Sequence, residues 1–205
     1  MNLPNKISLT RIIIAIVIIL LLTFPFHFVG IDFPVYLIKN VQLDLRYIIA
    51  GVLFIIACLS DFVDGRIARK RHLVTDLGKF LDAIADKILV NSVLVIFAAN
   101  GMVSPFIAVV VIARDTIVDA IRMMAASRGK VIAAGISGKI KSAFMMVGLS
   151  FTFFKNLPFE LFGLSISNFI IIIATVLSIY SMGKYYSLNK KIIFSKKEQA
   201  EVIND

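Results

Sequence analysis

The sequence predicts an all-α, polytopic membrane protein with six transmembrane helices and both termini in the cytoplasm. Hydrophobic residues make up 59% of its 205 residues, and the mean hydropathy is +0.92, which exceeds the usual range of soluble domains. The apolar residues gather in long runs, and the basic residues lie in the short segments between them. This distribution is typical of membrane proteins that follow the positive-inside rule.

The net charge of +9 would favour nucleic acid as the partner of a soluble protein. Membrane topology explains it better here, because the basic residues lie in loops between apolar runs. We therefore expect no nucleic-acid partner. The one cysteine, Cys58, excludes an internal disulfide.

The predicted elements follow the apolar runs in order, and together they make one membrane domain, residues 1–205. Residues 1–10 are polar and predict an N-terminal surface segment. The first apolar run leads into Pro25 without a small-residue cleavage site, so we expect it to stay as a membrane helix. Residues 27–46 predict an external loop, and the charged residues 190–205 predict a cytoplasmic tail. The six predicted spans cover approximately residues 12–26, 47–70, 78–100, 105–124, 140–154 and 164–186.

The loop charges predict the orientation of these spans. The N-terminus, the connections after the second and fourth spans, and the C-terminal tail all carry several Lys and Arg residues. The connections near residues 100 and 155 carry almost none. The positive-inside rule therefore places the basic segments and both termini in the cytoplasm.

Four aspartates at the cytoplasmic ends of the second and third spans form the candidate site. Asp61 and Asp64 are three residues apart, and Asp82 and Asp86 are four apart, so each pair shares one helix face. Carboxylates are costly in a membrane and are functional there by default. Two of them about 5 Å apart repel by roughly 3 kcal/mol at an effective dielectric constant of about 20.

Such a cluster must hold protons, pair with fixed cations or bind metal. Oxygen ligands without His or Cys favour Mg²⁺, Mn²⁺ or Ca²⁺, and metal binding is the preferred interpretation. The alternative is a set of salt bridges with nearby basic residues: Arg66, Arg69, Lys79 and Lys87.

Small residues follow the first aspartate pair on the same helix face. Gly65 and Ala68 leave a flat hollow against which a nucleotide or a sugar could press, or they form a helix–helix contact of the kind common in membranes. Arg69 could bind a diphosphate or extend to the membrane interface.

The spacing of these residues resembles the signature of the CDP-alcohol phosphatidyltransferase family. The pattern is Asp-x-x-Asp-Gly-x-x-Ala-Arg, eight residues, then Gly-x-x-x-Asp-x-x-x-Asp, and it is matched by Asp61, Asp64, Gly65, Ala68, Arg69, Gly78, Asp82 and Asp86. The resemblance implies transfer of a phosphatidyl group from CDP-diacylglycerol to an alcohol with release of CMP. It also implies two divalent metal ions, Mg²⁺ or Mn²⁺, and a homodimer.

The same resemblance implies residue roles. The metal ligands are Asp61, Asp64, Asp82 and Asp86, and Asp86 is also the candidate catalytic base. The residues implied to bind CDP-diacylglycerol are Asn5, Gly65, Ala68, Arg69 and Gly78.

A basic cluster predicts a phosphate-bearing acceptor. Its members lie at the cytoplasmic parts of the fourth and fifth spans: Arg114, Arg122, Lys139 and Lys141. Such residues suit a phosphate, although loop charges can also serve only to orient the protein. Asp115 and Asp119 are expected to orient these cations.

Further segments resemble the branch of the family that uses sn-glycerol 3-phosphate as acceptor. They are Asn2-Leu3-Pro4-Asn5 leading to Arg11, Gly78-Lys-Phe-Leu-Asp82 with Ala85-Asp86-Lys87, Ala113-Arg114, Arg122, and Gly138-Lys139-Ile140-Lys141. Phosphatidylglycerol and inositol phosphate are alternative acceptors. A cation transporter is a more distant alternative, because the acidic residues lie beside basic residues that would repel a permeating cation.

Overall fold

The computed structural model describes residues 3–39, 41–70, 76–127 and 136–194. Side chains are described in these ranges except at positions 3–4, 62–70, 76–77, 79, 136–137 and 191–194. Six α-helices lie within the described residues, and each coincides with one of the predicted apolar runs. They are α1 (Leu3–Thr23), α2 (Leu45–Lys70), α3 (Asp76–Ala99), α4 (Pro105–Ala126), α5 (Ile136–Phe153) and α6 (Ile166–Phe194). The prediction of a mostly helical protein is confirmed.

A short β-hairpin between α1 and α2 corrects the prediction of a purely helical chain with an irregular loop at residues 27–46. Strand β1 (Val35–Ile38) pairs antiparallel with β2 (Val41–Asp44), and Ile38 lies opposite Val41. β1 consists of β-branched, aromatic and aliphatic residues, which favour strands. Lys39 in the turn has a positive φ of 53°, as tight hairpins require.

The first helix begins earlier than predicted. Residues 3–10 are the first turns of α1 and not a separate surface segment. Asn5 and Ser8 are buried and share a helix face with Arg11, because the three residues are spaced three apart. The polar character of this segment therefore reflects a face that packs inside the bundle.

The last helix ends later than predicted. α6 continues to Phe194, so residues 190–194 belong to the helix and not to the tail. No Gly or Pro interrupts residues 184–194, and nothing there breaks the helix. Residues 195–205 of the predicted tail lie outside the described residues.

The helices form two groups that share one core. α1 packs against α2 and α3, and α6 packs against α5 and α4, while contacts of α2 with α5 and of α3 with α4 join the groups. Three buried aromatic rings lie where the groups meet. The Phe153 ring centroid is 5.3 Å from that of Phe54 and 4.7 Å from that of Phe97, distances at which aromatic pairs attract.

Two glycines allow helices to approach closely at these contacts. A Cβ at Gly51 of α2 would lie 2.8 Å from Phe153 Cβ, and one at Gly148 of α5 would lie 2.6 Å from Ile171 Cγ1 of α6. Both distances are shorter than side-chain contacts allow. The helix crossings therefore depend on small residues, as in many membrane bundles.

Two helical segments among the described residues are long and apolar enough to cross a membrane, namely Asn5–Thr23 and Ile166–Lys190. Large apolar side chains also lie on the outer surface of the bundle. Phe106 and Phe169, for example, are 71% and 65% exposed. The six-span topology and its orientation stay predictions.

Candidate active site

The site is built around Arg11, a fully buried arginine on α1. Its side chain is 1% exposed, and Nη1 donates hydrogen bonds to Asp61 Oδ1 at 2.6 Å and to Asp82 Oδ1 at 2.7 Å. Asp61 belongs to α2 and Asp82 to α3. One guanidinium nitrogen therefore joins three helices at a single point.

Asp86 lies one turn beyond Asp82 on the same helix. Its Oδ1 is 3.6 Å from Arg11 Nη2, which makes it the third carboxylate around this guanidinium. The carboxylates are more open than the arginine, because the side chains of Asp61, Asp82 and Asp86 are 33%, 54% and 37% exposed. The cluster therefore has a buried cationic side and an accessible acidic side.

Three polar atoms of the cluster remain without a hydrogen-bond partner among the described residues. They are Arg11 Nε, Arg11 Nη2 and Asp86 Oδ1, all buried. A buried polar atom without a partner costs roughly 1–3 kcal/mol. Such atoms are consistent with a site whose ligands complete the hydrogen bonding.

The donor set fits a hard divalent cation. The three described carboxylates supply oxygen, which Mg²⁺ and Mn²⁺ prefer, and a cationic group already lies between two of them. Within the described part of the chain, no three His, Cys, Asp or Glu side chains are grouped as metal ligands. The carboxylates converge on Arg11 instead.

Several predicted site residues fall outside the described side chains. These are Asp64, Ala68 and Arg69, although the backbones of all three, and of Gly65, belong to α2. Gly78 lies in the first turn of α3, and Asn5 is buried on α1 two turns before Arg11; both make interactions. Their proposed contacts with substrate stay predictions.

The sequence interpretation gave Arg11 no role in the site and so missed it as the partner of the carboxylates. The alternative to metal binding named four basic partners for the carboxylates, and Arg11 was not among them. Lys87, which was named, pairs with Asp119, while the side chains of Arg66, Arg69 and Lys79 lie outside the described set. A signal existed in the sequence: Ser8, Arg11, Ala15 and Ile18 share one face of α1, and all four are buried.

A second charged group connects α4, α5 and α6. Arg114 is buried and donates from Nε to the Ser178 carbonyl at 3.1 Å, from Nη2 to Ser181 Oγ at 3.0 Å and from Nη1 to Asp115 at 2.8 Å. Lys141 donates to both Asp115 oxygens, at 2.8 and 3.0 Å. Asp115 therefore contacts two of the four predicted cations, and its orienting role toward an acceptor stays a prediction.

The remaining predicted acceptor residues, Arg122 and Lys139, are more accessible than Arg114 and Lys141. Arg122 donates from Nε to the Tyr185 hydroxyl at 3.2 Å and lies over its ring. Lys139 is exposed. Asp119 pairs with Lys87 and not with any of the four predicted cations, so its predicted orienting role is wrong. The structure thus joins Arg114 to Lys141 through Asp115.

The family comparison covers α1 to α5 and the first half of α6, and so includes the whole aspartate cluster. The model of the CDP-alcohol phosphatidyltransferase family matches residues 1–180. The chain belongs to this family. It is therefore an enzyme, a phosphatidyltransferase of phospholipid synthesis, and the family predicted from the aspartate spacing is confirmed.

Curated relatives of this CDP-alcohol phosphatidyltransferase come from several bacteria. A Bacillus subtilis (strain 168) protein is 34% identical over 188 residues, which are 92% of this chain and 95% of the relative. A Mycoplasma pneumoniae protein is 31% identical over 90% of this chain and 86% of its own length. A Rickettsia bellii protein is 30% identical over 93% and 96%. All three are named CDP-diacylglycerol–glycerol-3-phosphate 3-phosphatidyltransferase.

Proposed function

We propose that this enzyme transfers the phosphatidyl group of CDP-diacylglycerol to sn-glycerol 3-phosphate, which gives phosphatidylglycerophosphate and CMP. The observation that carries the proposal is the convergence of Asp61, Asp82 and Asp86, from two helices, at one end of the bundle. The names of relatives that align with nearly the whole chain support this acceptor.

We propose that Asp61, Asp64, Asp82 and Asp86 hold two divalent cations, Mg²⁺ or Mn²⁺. Bound metal would neutralise the diphosphate and stabilise the departing CMP. The accessible sides of Asp61, Asp82 and Asp86 leave room for such ligands, and the buried Oδ1 of Asp86 has no hydrogen-bond partner among the described residues.

The reaction exchanges one phosphorus–oxygen bond for another. The acceptor hydroxyl oxygen bonds to the phosphorus that carries diacylglycerol, and the bond from that phosphorus to the oxygen it shares with the CMP phosphate breaks. Asp86 receives the proton of the acceptor hydroxyl. Its half-exposed side chain beside Arg11 makes it accessible to a substrate while its partner remains buried.

The proton-transfer role of Asp86 is tested by Asp86→Asn. An amide cannot take up the proton, so we expect turnover at saturating metal to fall by roughly 10²–10⁴-fold. CMP release measured across a metal titration separates this effect from weaker metal binding. Near-normal turnover at saturating metal would remove Asp86 from this role.

The two substrates would use different parts of this end of the bundle. We propose that Asn5, Gly65, Ala68, Arg69 and Gly78 bind CDP-diacylglycerol. The acceptor phosphate would meet Lys139 and Arg122, the more accessible of the four predicted cations. Arg114 and Lys141 would add positive charge from the interior of the bundle, because both are buried and paired with Asp115.

We propose that all six helices span the cytoplasmic membrane with the aspartates on the cytoplasmic side. α2 has 26 residues, about 39 Å at the usual helical rise, and α5 has 18, about 27 Å. The hydrocarbon core of a bilayer is about 30 Å thick. The apolar side chains on the outer surface support the same arrangement.

A homodimer is the proposed oligomeric state, with α3 and α4 as its contact face. The exposed apolar residues of these helices supply such a face, including Val95, Phe106 and Val109. Single cysteines at these positions are expected to form cross-links between two copies in membranes. Cross-linking confined to other helices would contradict this face.

The acceptor is tested with purified protein, CDP-diacylglycerol, Mg²⁺ or Mn²⁺ and a panel of alcohols. We expect CMP release with glycerol 3-phosphate and much slower release with phosphatidylglycerol, inositol phosphate or serine. Release with phosphatidylglycerol but not with glycerol 3-phosphate would overturn the acceptor. Metal flux into proteoliposomes without CMP release would favour a transporter instead.

A further inference from the structure

The position of the Arg11 guanidinium raises a question that the transfer reaction leaves open. Nη1 lies within 2.7 Å of one oxygen of Asp61 and one of Asp82, so a single positive group bridges carboxylates from two helices. A bridging position between carboxylate oxygens is also where a divalent cation binds best. The same oxygens cannot be fully engaged by both.

We propose that Arg11 is a positioning residue that holds the carboxylates together in the metal-free enzyme and is displaced from them when divalent metal binds. This inference rests on the proposed metal role of Asp61, Asp82 and Asp86. It adds that metal binding replaces one set of contacts with another. The salt bridges from Arg11 on α1 to Asp61 on α2 and Asp82 on α3 break, and the carboxylates bind metal instead.

The burial of Arg11 supports an internal cation in the metal-free state. Three carboxylates in one cluster repel one another, and a buried charge without a partner is strongly destabilising. The guanidinium is 1% exposed, and among the described side chains it pairs with Asp61, Asp82 and Asp86. The guanidinium therefore offsets the repulsion among the carboxylates, and the carboxylates supply the opposite charge that a buried guanidinium needs.

The hydrogen bonding of Arg11 supports its release. Its Nε and Nη2 are buried and have no hydrogen-bond partner among the described residues. A guanidinium carries five N–H donors, and here Nη1 donates both hydrogen bonds, while Nη2 lies 3.6 Å from Asp86 Oδ1. A guanidinium with unused donors loses less when metal takes its carboxylates, and the freed donors can bind an anionic oxygen of the substrate.

If this exchange occurs, the salt bridges of Arg11 to the aspartates lower the apparent affinity of the wild type for metal. If Arg11 occupies the carboxylates nine-tenths of the time, the apparent dissociation constant is about tenfold weaker than the intrinsic one. Arg11→Gln removes both the competing group and its charge. We therefore expect Arg11→Gln to bind Mn²⁺ about tenfold more tightly than the wild type.

The experiment measures Mn²⁺ binding and thermal unfolding of the purified full-length chain without substrate. Metal-free Arg11→Gln should unfold at a lower temperature than the wild type, and saturating Mn²⁺ should narrow that gap. Arg11→Lys, which keeps the charge, should stay near wild-type affinity. Arg46→Gln is the matched control, because Arg46 also pairs with an aspartate but far from the cluster, and its Mn²⁺ affinity should equal that of the wild type.

A second measurement uses the wild type alone, so it does not depend on a variant that folds. Phenylglyoxal modifies accessible arginines, and peptide mass spectrometry reports each site. Mn²⁺ should increase the modification of Arg11 and leave that of Arg46 unchanged. Arg11 equally protected with and without Mn²⁺, or Arg11→Gln binding Mn²⁺ no more tightly than the wild type, would overturn the proposal.

These outcomes are separable from failure of the proposed function. An enzyme that binds Mn²⁺ and releases Arg11, but does not use glycerol 3-phosphate, would leave the exchange intact. An enzyme with the expected transferase activity and a permanently protected Arg11 would leave the reaction intact and remove the exchange.

Discussion

At the scale of single residues, the aspartates at the two ends of α2 pair with arginines at very different sequence separations. Near the carboxylate cluster, Asp61 relies on an arginine 50 residues away in the sequence. At the other end, Asp44 and Arg46 are near neighbours, and Arg46 Nη2 lies 2.6 Å from Asp44 Oδ2. The first pair links helices, whereas the second stabilises only the junction between the hairpin and α2.

The local pair makes a pH-dependent contribution to stability. Partial burial raises the pKa of Asp44, but hydrogen bonds from the Arg46 side chain and backbone outweigh it, and the pKa lies below its ordinary value. A lowered carboxyl pKa stabilises the folded state above the unfolded pKa of about 3.9. This contribution is lost as the pH falls through the folded pKa.

Asp44→Asn is therefore expected to lower the free energy of unfolding at neutral pH by up to about 1 kcal/mol, as for a partly exposed ion pair. The difference from the wild type should shrink below about pH 4, because the wild-type carboxyl is then protonated. Unfolding of the purified protein across a pH series measures it. Asp32→Asn, in the same connection between α1 and α2, is the control, and a difference that grows on acidification would contradict the assignment.

The aspartate cluster could be predicted from the sequence, but the pairing of Arg11 with it could not. Asp61 with Asp64, and Asp82 with Asp86, stand at helical spacing in apolar sequence, which marks them as functional. Arg11 lies 50 and 71 residues from two of its partners. Helical periodicity identifies the face on which a residue lies and gives no information about which helix packs against that face.

At the scale of elements, the packing of helices depends on glycines at their contacts as well as on large side chains. Gly148 lets α5 approach α6 so closely that an added Cβ would lie 2.6 Å from Ile171 Cγ1 and 3.3 Å from the Ile171 backbone nitrogen. The backbone of Ile171 cannot move away without disturbing α6. The α5–α6 contact therefore leaves no room for any side chain at this position.

Gly148→Ala is expected to destabilise the protein by about 1–3 kcal/mol, the usual cost of overpacking. Gly183→Ala is the matched control on the same pair of helices, because a Cβ there meets no atom within 4 Å. Alanine favours helix over glycine, so the control should be neutral or up to about 1 kcal/mol more stable. Thermal unfolding of both variants measures the contrast, and equal effects would refute the close approach.

The existence of the helices followed from the sequence, while their ends did not. Apolar runs located all six helices, since such runs dominate the sequence. The polar start of α1 resembles a surface segment because its buried face carries Asn5, Ser8 and Arg11, and the partners of Arg11 lie on α2 and α3. The hairpin was missed because four-residue strands inside a mixed segment give too short a pattern.

At the scale of the whole molecule, the charge distribution and the site share one end of the bundle. The starts of α1, α3 and α5 and the ends of α2, α4 and α6 lie together, because consecutive helices run in alternating directions. This end carries the aspartate cluster and the charged group of Arg114, Asp115 and Lys141. The opposite end carries the hairpin and the turns near residues 100 and 155.

The proposed orientation is tested by cysteine labelling in intact cells. Cys58→Ser provides a background without the native cysteine, and Asp32→Cys and Lys139→Cys place single thiols at exposed positions at opposite ends. A membrane-impermeant maleimide should label position 32 from outside and reach position 139 only after permeabilisation. The reverse pattern would invert the topology.

The central claim is that the acidic groups gathered around Arg11 perform phosphatidyl transfer, and CMP release measures it most directly. With CDP-diacylglycerol, glycerol 3-phosphate and Mg²⁺, the wild type and the exposed-site control Asp32→Asn should release CMP at similar rates. Asp61→Asn and Asp82→Asn should each lose at least about 100-fold, as expected when preorganised charge is removed from a reacting phosphate. Wild-type rates in both variants, with their folding intact, would contradict the claim.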